Sequence, residues 1–308
     1  MTPAVTKSAS AASNRAVAPK RIFDCHSHWS TKRGYFFQTP EALESQRKIW
    51  GTAAAHDTED EMAAVFRQHN VRVVLDLAIT MWMNIDEIRE VHDYAFSVQR
   101  RHSDVIYGHW LTYNPLIGRE GLREFERAVA AKAGFIGIAV IGQQNPGYPP
   151  SDPIWDPFYK ASIDAHLPVL IHTGLTGNGQ GFPGGNGIRL DDGHPRHIDA
   201  VAAKFPELRI LAGRPAWPWQ DDMLAIMLHK SNVLGYELHG WSPKTFTPAL
   251  KREIGGRLQD RIMFGCDYPV LKYDMMVSRW LDLGYSQDVL DKVFYRNAEA
   301  FFPGAALA

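Results

Sequence analysis

The chain alternates short apolar runs with longer segments in which apolar residues recur every three or four positions. The short runs are rich in Val, Ile and Leu, and several are apolar on both faces. This pattern is typical of parallel strands buried between a core and a layer of helices. Eight runs are predicted as strands: 21–26, 71–79, 104–112, 135–141, 168–172, 208–213, 232–238 and 261–266.

The segments between these runs carry helix signals. Thr58 followed by Glu61 is a capping-box pattern, and Asn84 precedes two acidic residues that favour a helix N-terminus. Helices are predicted over 58–69, 84–102, 119–133, 155–166, 195–204, 219–230, 245–257 and 286–300. Eight strand–helix units of this total length predict a (β/α)₈ TIM barrel, and an open doubly wound sheet is the alternative.

The 308 residues suit one large α/β domain. Residues 1–20 are rich in Ala and Ser and contain no acidic residue, so we predict a disordered N-terminal tail there. No Gly/Ser-rich or Pro-rich linker divides the remainder. Residues 21–308 are therefore predicted to form a single barrel domain.

Charge and cysteine content exclude several classes of function. With 33 basic and 34 acidic residues the formal charge is −1, which provides no basic surface for nucleic acid or for membrane lipid. No apolar stretch approaches the ~18 residues that a membrane-spanning helix needs. The two cysteines cannot form a disulfide scaffold, which suits a reducing compartment. We predict a cytoplasmic enzyme with a small-molecule substrate.

Ligand-type residues collect where the predicted strands end, which is the active-site face of a parallel barrel. His26 and His28 are two positions apart, so an extended strand turns both imidazoles to one face. His172 ends the fifth strand and Asp267 follows the eighth. A lone histidine is more often structural, but three imidazoles and one carboxylate together predict a mononuclear divalent metal site.

Five segments carry a resemblance to a known family: IFDCHSHW, GFIGIAV, VLIHTG, FGCDYP and RNAEAFF. The chain resembles the amidohydrolase superfamily, and within it the second subfamily, which contains ACMS decarboxylase-like and resorcylate decarboxylase-like lyases beside hydrolases. The resemblance implies a distorted barrel, one divalent cation (Zn²⁺ first, Mn²⁺ as the alternative) and frequent homo-oligomers. It also implies that His26, His28, His172 and Asp267 are the metal ligands, with Asp267 exchanging a proton during catalysis.

Arg214 departs from that family pattern, because the sixth strand usually ends in a histidine. The guanidinium keeps its charge at any working pH, so Arg214 cannot be a general base. It is predicted either to clamp a carboxylate or oxyanion of the substrate, or to be structural and to pair with Asp221, Asp222 or Glu237.

Further candidates lie after the fifth to seventh strands. The glycine-rich segment 173–193 is predicted to form a flap over the site, from which Arg189 contacts substrate. His194 and Trp217 are two more predicted substrate contacts, with packing as the alternative for the tryptophan. His239 ends the seventh strand and is predicted either to act as an acid or base or to be a hydrogen-bonded wall residue.

These residues support three functions. The first is a metal-dependent hydrolase of a small carbonyl compound, in which Asp267 accepts the proton of water while Arg214 or His239 stabilises the oxyanion. The alternative is a metal-dependent, non-oxidative decarboxylase of an aromatic or enoic acid. The third is a metal-free binding protein or degenerate enzyme on the same barrel, which the arginine at position 214 motivates.

Overall fold

Eight parallel strands form one sheet whose spatial order follows the sequence, as the predicted (β/α)₈ barrel requires. The computed structural model describes residues 17–35, 39–51, 55–132, 134–144 and 147–304. The strands are β1 Ile22–His28, β2 Val71–Asp76, β3 Ile106–Thr112, β4 Phe135–Val140, β5 Val169–His172, β6 Ile210–Gly213, β7 Val233–Glu237 and β8 Ile262–Met263. The fold prediction is confirmed. The predicted tail lies mostly outside the described residues, which begin at residue 17.

The barrel is closed between its last and first strands by backbone hydrogen bonds. β8 has only two residues, but the chain after it continues beside β1. Cys25 N donates to Phe264 O at 3.0 Å, and Asp267 N donates to His26 O at 2.9 Å. The predicted strand 261–266 therefore runs in the expected place with less regular pairing. This closure brings Asp267 next to β1.

Eleven α-helices surround the barrel in the described part of the chain. They are α1 Pro40–Trp50, α2 Glu59–Gln68, α3 Ile85–Arg101, α4 Arg119–Ala131, α5 Asp156–Asp164, α6 Arg196–Lys204, α7 Gln220–His229, α8 Pro248–Ile254, α9 Tyr273–Leu281, α10 Gln287–Asp291 and α11 Asn297–Phe301. The capping boxes at Thr58 and Asn84 are both present. None of the described helices is long and apolar enough to cross a bilayer.

The helix predictions differ from the structure in two respects. Helices α1 and α9 occupy stretches for which the sequence pattern predicts no element. The predicted helix 286–300 is interrupted by a π-helical turn, Lys292–Arg296, between α10 and α11. Inside this turn Val293 O accepts a hydrogen bond from Phe264 N at 2.9 Å. The π-helical turn therefore coincides with a hydrogen bond to the barrel. Local periodicity in the sequence does not encode such a contact.

Most buried apolar side chains of the described residues belong to two layers. The larger layer joins the helices to the outer face of the strands. The smaller layer fills the barrel interior below the strand ends and includes Cys25, Trp110, Leu170 and Leu211, with Phe302 covering its lower end. Trp110 Nε1 donates to Cys25 O at 2.9 Å. Both cysteines are buried free thiols. The filled interior leaves the strand ends above it as the place for chemistry.

A buried hydrogen bond between His92 and Glu124 joins α3 to α4 and is expected to stabilise the fold. Burial opposes the charge of Glu124, but hydrogen bonds from His92 and Arg127 outweigh it and lower the pKa of Glu124 to about 2. A lowered carboxyl pKa stabilises the fold above the ordinary value of 4.5, and this contribution is lost as the pH falls towards 2. Glu124→Gln is expected to lower the free energy of unfolding by about 3 kcal/mol at pH 7.

Thermal unfolding followed by circular dichroism between pH 2 and pH 7 checks this prediction. The difference between the variant and the parent should shrink steadily below pH 4.5. Glu126→Gln, an exposed substitution on the same helix, is the matched control and should follow the parent at every pH. A constant difference across the range would contradict the assignment.

Candidate metal centre and active site

The four predicted metal ligands meet at the carboxyl ends of their strands. His26 and His28 end β1, His172 ends β5, and Asp267 follows β8; all four are buried. The ring of His26 lies 5.2 Å from that of His28 and 5.1 Å from that of His172, measured between centroids. His28 Nε2 is 3.0 Å from Asp267 Oδ1. The structure therefore places the four predicted residues at one end of the barrel, each of them next to His26 or His28.

The chemistry of these side chains fits a divalent cation. Within the described residues, neither ring nitrogen of His26 has a hydrogen-bond partner, and the same holds for Nε2 of His172. Burial, reinforced by neighbouring histidines and Arg214, holds the pKa values of His26 and His172 well below the ordinary value. Neutral imidazoles with available lone pairs are metal donors, and orphaned buried nitrogens are otherwise costly.

Two groups of possible donor atoms overlap at His26. His26, His28 and Asp76 form one group, and His26, His172 and His239 form the other; in each, the donor atoms lie within 4.8 Å of one another. Asp76 was not predicted. It ends β2, its Oδ1 accepts a hydrogen bond from Thr112 at 3.0 Å, and its Oδ2 lies 3.6 Å from His26 Nε2. Its position after an apolar run was the available signal.

Asp24 is a second functional residue that the sequence analysis missed. Its buried carboxylate accepts hydrogen bonds from His26 N, Ser27 Oγ, Cys266 N and the hydroxyl of Tyr273, at 2.6–3.0 Å. Burial raises the pKa of Asp24 to about 7, although these hydrogen bonds oppose the shift. The carboxylate joins β1 to the segment after β8 and so fixes the spacing of the proposed ligands.

The carboxylate of Asp267 is held in its ionised form. Burial disfavours its charge, but His28 and the more distant His239 and Arg214 outweigh burial and lower the pKa of Asp267 to about 2. The backbone at Asp267 has φ of +68°, which a non-glycine residue rarely adopts. Such strain persists where the surroundings enforce it, and it is concentrated at functional sites.

Arg214, His239 and Glu237 form a hydrogen-bonded chain beside this centre. Arg214 Nε donates to His239 Nε2 at 3.1 Å, so Nε2 carries a lone pair and the ring proton is on Nδ1. Nδ1 donates to the buried carboxylate of Glu237. Both ring nitrogens of His239 are therefore engaged. This geometry favours a role in positioning Arg214 over the predicted acid–base role of His239.

A cavity of about 340 Å³ opens directly above the centre. Its floor contains His28, Asp76, His172 and Asp267, and Arg214 lies in its wall. The remaining lining is largely apolar or amide: Trp50, Ala78, Met81, Ile141, Leu175, Thr176, Gly177, Asn178, Gln180, Gly240, Trp241, Val270 and Leu271. One end is polar and the walls are apolar, which is the usual composition of a small-molecule site.

Comparison with known proteins places this chain in a family. A family model described as amidohydrolase matches residues 23–304. The chain belongs to the amidohydrolase family. This agrees with the resemblance seen in the sequence motifs. No curated protein sequence matches the chain.

Solved structures share the fold of this amidohydrolase at low identity. A 5-carboxyvanillate decarboxylase from Novosphingobium aromaticivorans, complexed with manganese and 4-hydroxy-3-methoxy-5-nitrobenzoic acid, is 15% identical with a TM-score of 0.65, over 94% of this chain and 99% of that chain. A dihydroxybenzoic acid decarboxylase from Polaromonas sp. JS666, with manganese and 2-nitroresorcinol, is 14% identical with a TM-score of 0.64, over 92% and 96%.

A third solved structure is described as a "probable" 2-pyrone-4,6-dicarboxylic acid hydrolase, from Acinetobacter baumannii, with citric acid bound. It is 10% identical with a TM-score of 0.59, over 91% of this chain and 98% of that chain. At these identities the three similarities establish the barrel architecture. The chemistry of this amidohydrolase depends on its own residues.

Three of the predicted substrate contacts lie outside the cavity lining, as far as the described residues show. Arg189 lies near Asp191 and Asp192, and His194 packs against Trp219 with ring centroids 4.7 Å apart. Trp217 is 41% exposed and stacks on Trp241, which does line the cavity. Strand and helix periodicity places such loop residues near the site, but the direction of each side chain follows from loop packing.

The glycine-rich segment covers the cavity in its first half only. Leu175, Thr176, Gly177, Asn178 and Gln180 form part of the lining. Gln180 Oε1 accepts a hydrogen bond from Trp50 Nε1 at 3.1 Å, so α1 meets this segment above the site. Arg214 likewise donates to Leu175 O at 3.2 Å rather than pairing with Asp221 or Asp222. The predicted structural partner Glu237 is reached through His239.

Proposed function

We propose that this amidohydrolase is a metal-dependent, non-oxidative decarboxylase of an aromatic carboxylic acid. The observation that carries the proposal is the single cavity that joins the imidazole–carboxylate centre to Arg214 between apolar and tryptophan walls. A planar aromatic acid matches both parts of this cavity, because its ring is apolar and its oxygens are anionic.

We propose His26, His28, His172 and Asp267 as the residues that hold one divalent cation. When bound, the cation would act as a Lewis acid toward oxygen atoms of the substrate. The manganese in two solved decarboxylases of the same fold supports a divalent ion here and makes Mn²⁺ the first ion to test, ahead of the Zn²⁺ that the sequence analysis favoured.

The chain's own residues orient the substrate and transfer a proton. The walls from Met81, Ile141 and Leu271 exclude water from the ring of the substrate. Asp267 lies in the cavity floor, and its carboxylate, ionised in the free protein, is placed to take up a proton from water or from a hydroxyl group of the substrate and to pass it to the ring carbon that loses its carboxylate. Overall, a carboxylate and one proton become a C–H bond and carbon dioxide. His239 is engaged on both ring nitrogens and takes no part in this transfer.

Hydrolysis is the second candidate, and a specific observation supports it. One solved structure of this fold is described as a hydrolase of a dicarboxylic acid, and Asp267 is equally placed to accept a proton from water. The two ligand-bound decarboxylases, whose ligands are nitro-substituted aromatic oxygen compounds, favour decarboxylation.

A screen of hydroxybenzoic acids together with aromatic esters and lactones, with the manganese-loaded enzyme in H₂¹⁸O, distinguishes the two reactions. Decarboxylation releases carbon dioxide and gives a product without ¹⁸O, whereas hydrolysis of an ester or lactone places ¹⁸O in the product. Chelator-treated enzyme is the control. Incorporation of ¹⁸O without release of carbon dioxide would replace this proposal with the hydrolase. Absence of turnover and of metal binding would favour the degenerate binding protein.

Asp267→Asn is expected to lower kcat by at least about 10²-fold, because it removes the proposed proton-transfer group. The amide keeps an oxygen donor of similar shape, so folding should persist. The measurements are the rate of carbon dioxide release, the metal content and the melting temperature of the same preparation. Full activity in the variant would reject the role of Asp267.

We also propose that the protein is cytoplasmic and that it forms a homo-oligomer. Cell fractionation tests the first. Light scattering of the purified protein tests the second, and a mass near the 34.7 kDa of one chain would contradict it.

A further inference from the structure

Arg214 has donors left over after its structural hydrogen bonds are made. A guanidinium has five N–H groups. Nε donates to His239 and one Nη1–H donates to Leu175 O, and the other three N–H groups have no partner among the described residues. Those three are shared between Nη1 and Nη2, the end of the fork that binds a carboxylate through two parallel hydrogen bonds. Arg214 also lines the cavity.

We propose that Arg214 binds a second, non-reacting carboxylate of the substrate, so that the substrate is an aromatic dicarboxylic acid. This inference rests on the proposed decarboxylation. The reacting carboxylate loses its charge as carbon dioxide departs. An arginine on that group would stabilise the bound substrate more than the transition state and would slow the reaction. A carboxylate elsewhere on the ring keeps its charge and orients the ring throughout.

The structure around Arg214 is built to hold it. Glu237 is fully buried and receives hydrogen bonds from both the backbone N and Nδ1 of His239. Two glycines make room for its carboxylate. A Cβ at Gly213 would lie 2.8 Å from Oε1, and a Cβ at Gly265 would lie 2.6 Å from Oε2. His239 and Glu237 are thus positioning residues that aim the guanidinium.

The backbone of Arg214 carries strain that agrees with this assignment. Its φ is +69°, in the left-handed region that side chains other than glycine rarely adopt. The sequence places Gly213 directly before it, yet the strained position itself is an arginine. The surrounding hydrogen bonds hold the side chain against this conformational cost.

Calorimetric binding of simple aromatic acids to the metal-loaded protein tests the proposal without turnover. The probes are benzoate, isophthalate and terephthalate. The better of the two dicarboxylates should bind at least about 10-fold more tightly than benzoate, the usual gain from a charge-assisted hydrogen-bonded pair. Arg214→Met should abolish this preference. Arg123→Met, an exposed substitution on α4, is the matched control and should keep the preference.

Glu237→Gln tests the positioning chain. It should reduce the calorimetric preference for the dicarboxylate several-fold, at unchanged metal content and with benzoate binding affected less. A merely structural role would weaken benzoate and dicarboxylate binding equally. If Arg214→Met fails to fold, Arg214→Lys keeps the charge without the fork and should show a reduced preference.

Two outcomes overturn the inference: equal binding of benzoate and both dicarboxylates by the parent protein, or an unchanged preference in the folded Arg214 variants. Release of carbon dioxide from a monocarboxylic acid, with no dicarboxylate preference, would leave the proposed decarboxylation standing and remove only the subsite. A preserved preference without any release of carbon dioxide would remove the decarboxylase and leave the subsite.

Discussion

Replacing His26 with alanine is expected to abolish binding of the divalent cation and to lower kcat at least about 10³-fold, since a metal contributes several kcal/mol and ~1.4 kcal/mol is a factor of ten. His26 belongs to both groups of donor atoms that lie within 4.8 Å of one another. Its ring nitrogens hold no hydrogen bond to any described residue, so the substitution removes a metal donor without breaking a hydrogen bond.

Plasma mass spectrometry after reconstitution with Mn²⁺ or Zn²⁺ measures this directly. The parent should hold about one equivalent per chain, as one mononuclear site requires, and the variant should hold almost none. His229→Ala, an exposed histidine at the end of α7, is the control and should retain the metal. A full equivalent in the His26 variant would refute the proposed centre, whatever the substrate turns out to be.

Asp24→Ala is expected to lower the free energy of unfolding by about 4 kcal/mol, because four buried donors left without an acceptor cost about 1–3 kcal/mol each and removal of a charge that burial disfavours offsets part of that cost. Its carboxylate receives four hydrogen bonds, two on each oxygen. They connect β1 with the segment that carries Asp267. The variant should therefore also bind the cation more weakly, as substitutions behind metal ligands do.

Urea unfolding of the metal-free protein isolates the effect on the fold. Asp24→Asn retains one acceptor oxygen and should lose less stability than the alanine variant. Asp282→Ala, an exposed residue directly after α9, should unfold like the parent. An Asp24→Ala protein within about 1 kcal/mol of the parent would show that the buried network contributes little, contrary to the usual cost of unsatisfied buried groups.

The strands and the polar residues that follow them can be predicted from the sequence because both depend on the local order of residues. Buried parallel strands require apolar runs, and the barrel requires eight of them at regular spacing. Once that architecture is assumed, the residues at the strand ends are brought together by topology. For this reason the pattern led to His26, His28, His172 and Asp267 before any side-chain position was known.

The sequence pattern does not predict the roles of Asp24 and Asp76. Each lies within or at the end of an apolar run, so each is placed by the pattern, but nothing local distinguishes a buried carboxylate from one that faces solvent. Their roles depend on partners far along the chain, Cys266 and Tyr273 for Asp24 and Thr112 for Asp76. Such long-range hydrogen bonds leave no periodic signal.

Residue order along the chain predicts the barrel, the face that carries chemistry, the imidazole–carboxylate set and the unusual arginine after the sixth strand. The contacts of that arginine follow from the tertiary structure. Arg214 bonds His239 and Leu175, and His239 bonds Glu237. Strand order is fixed by the alternation of elements along the chain, whereas the direction of a side chain is fixed by packing and hydrogen bonds between segments distant in sequence.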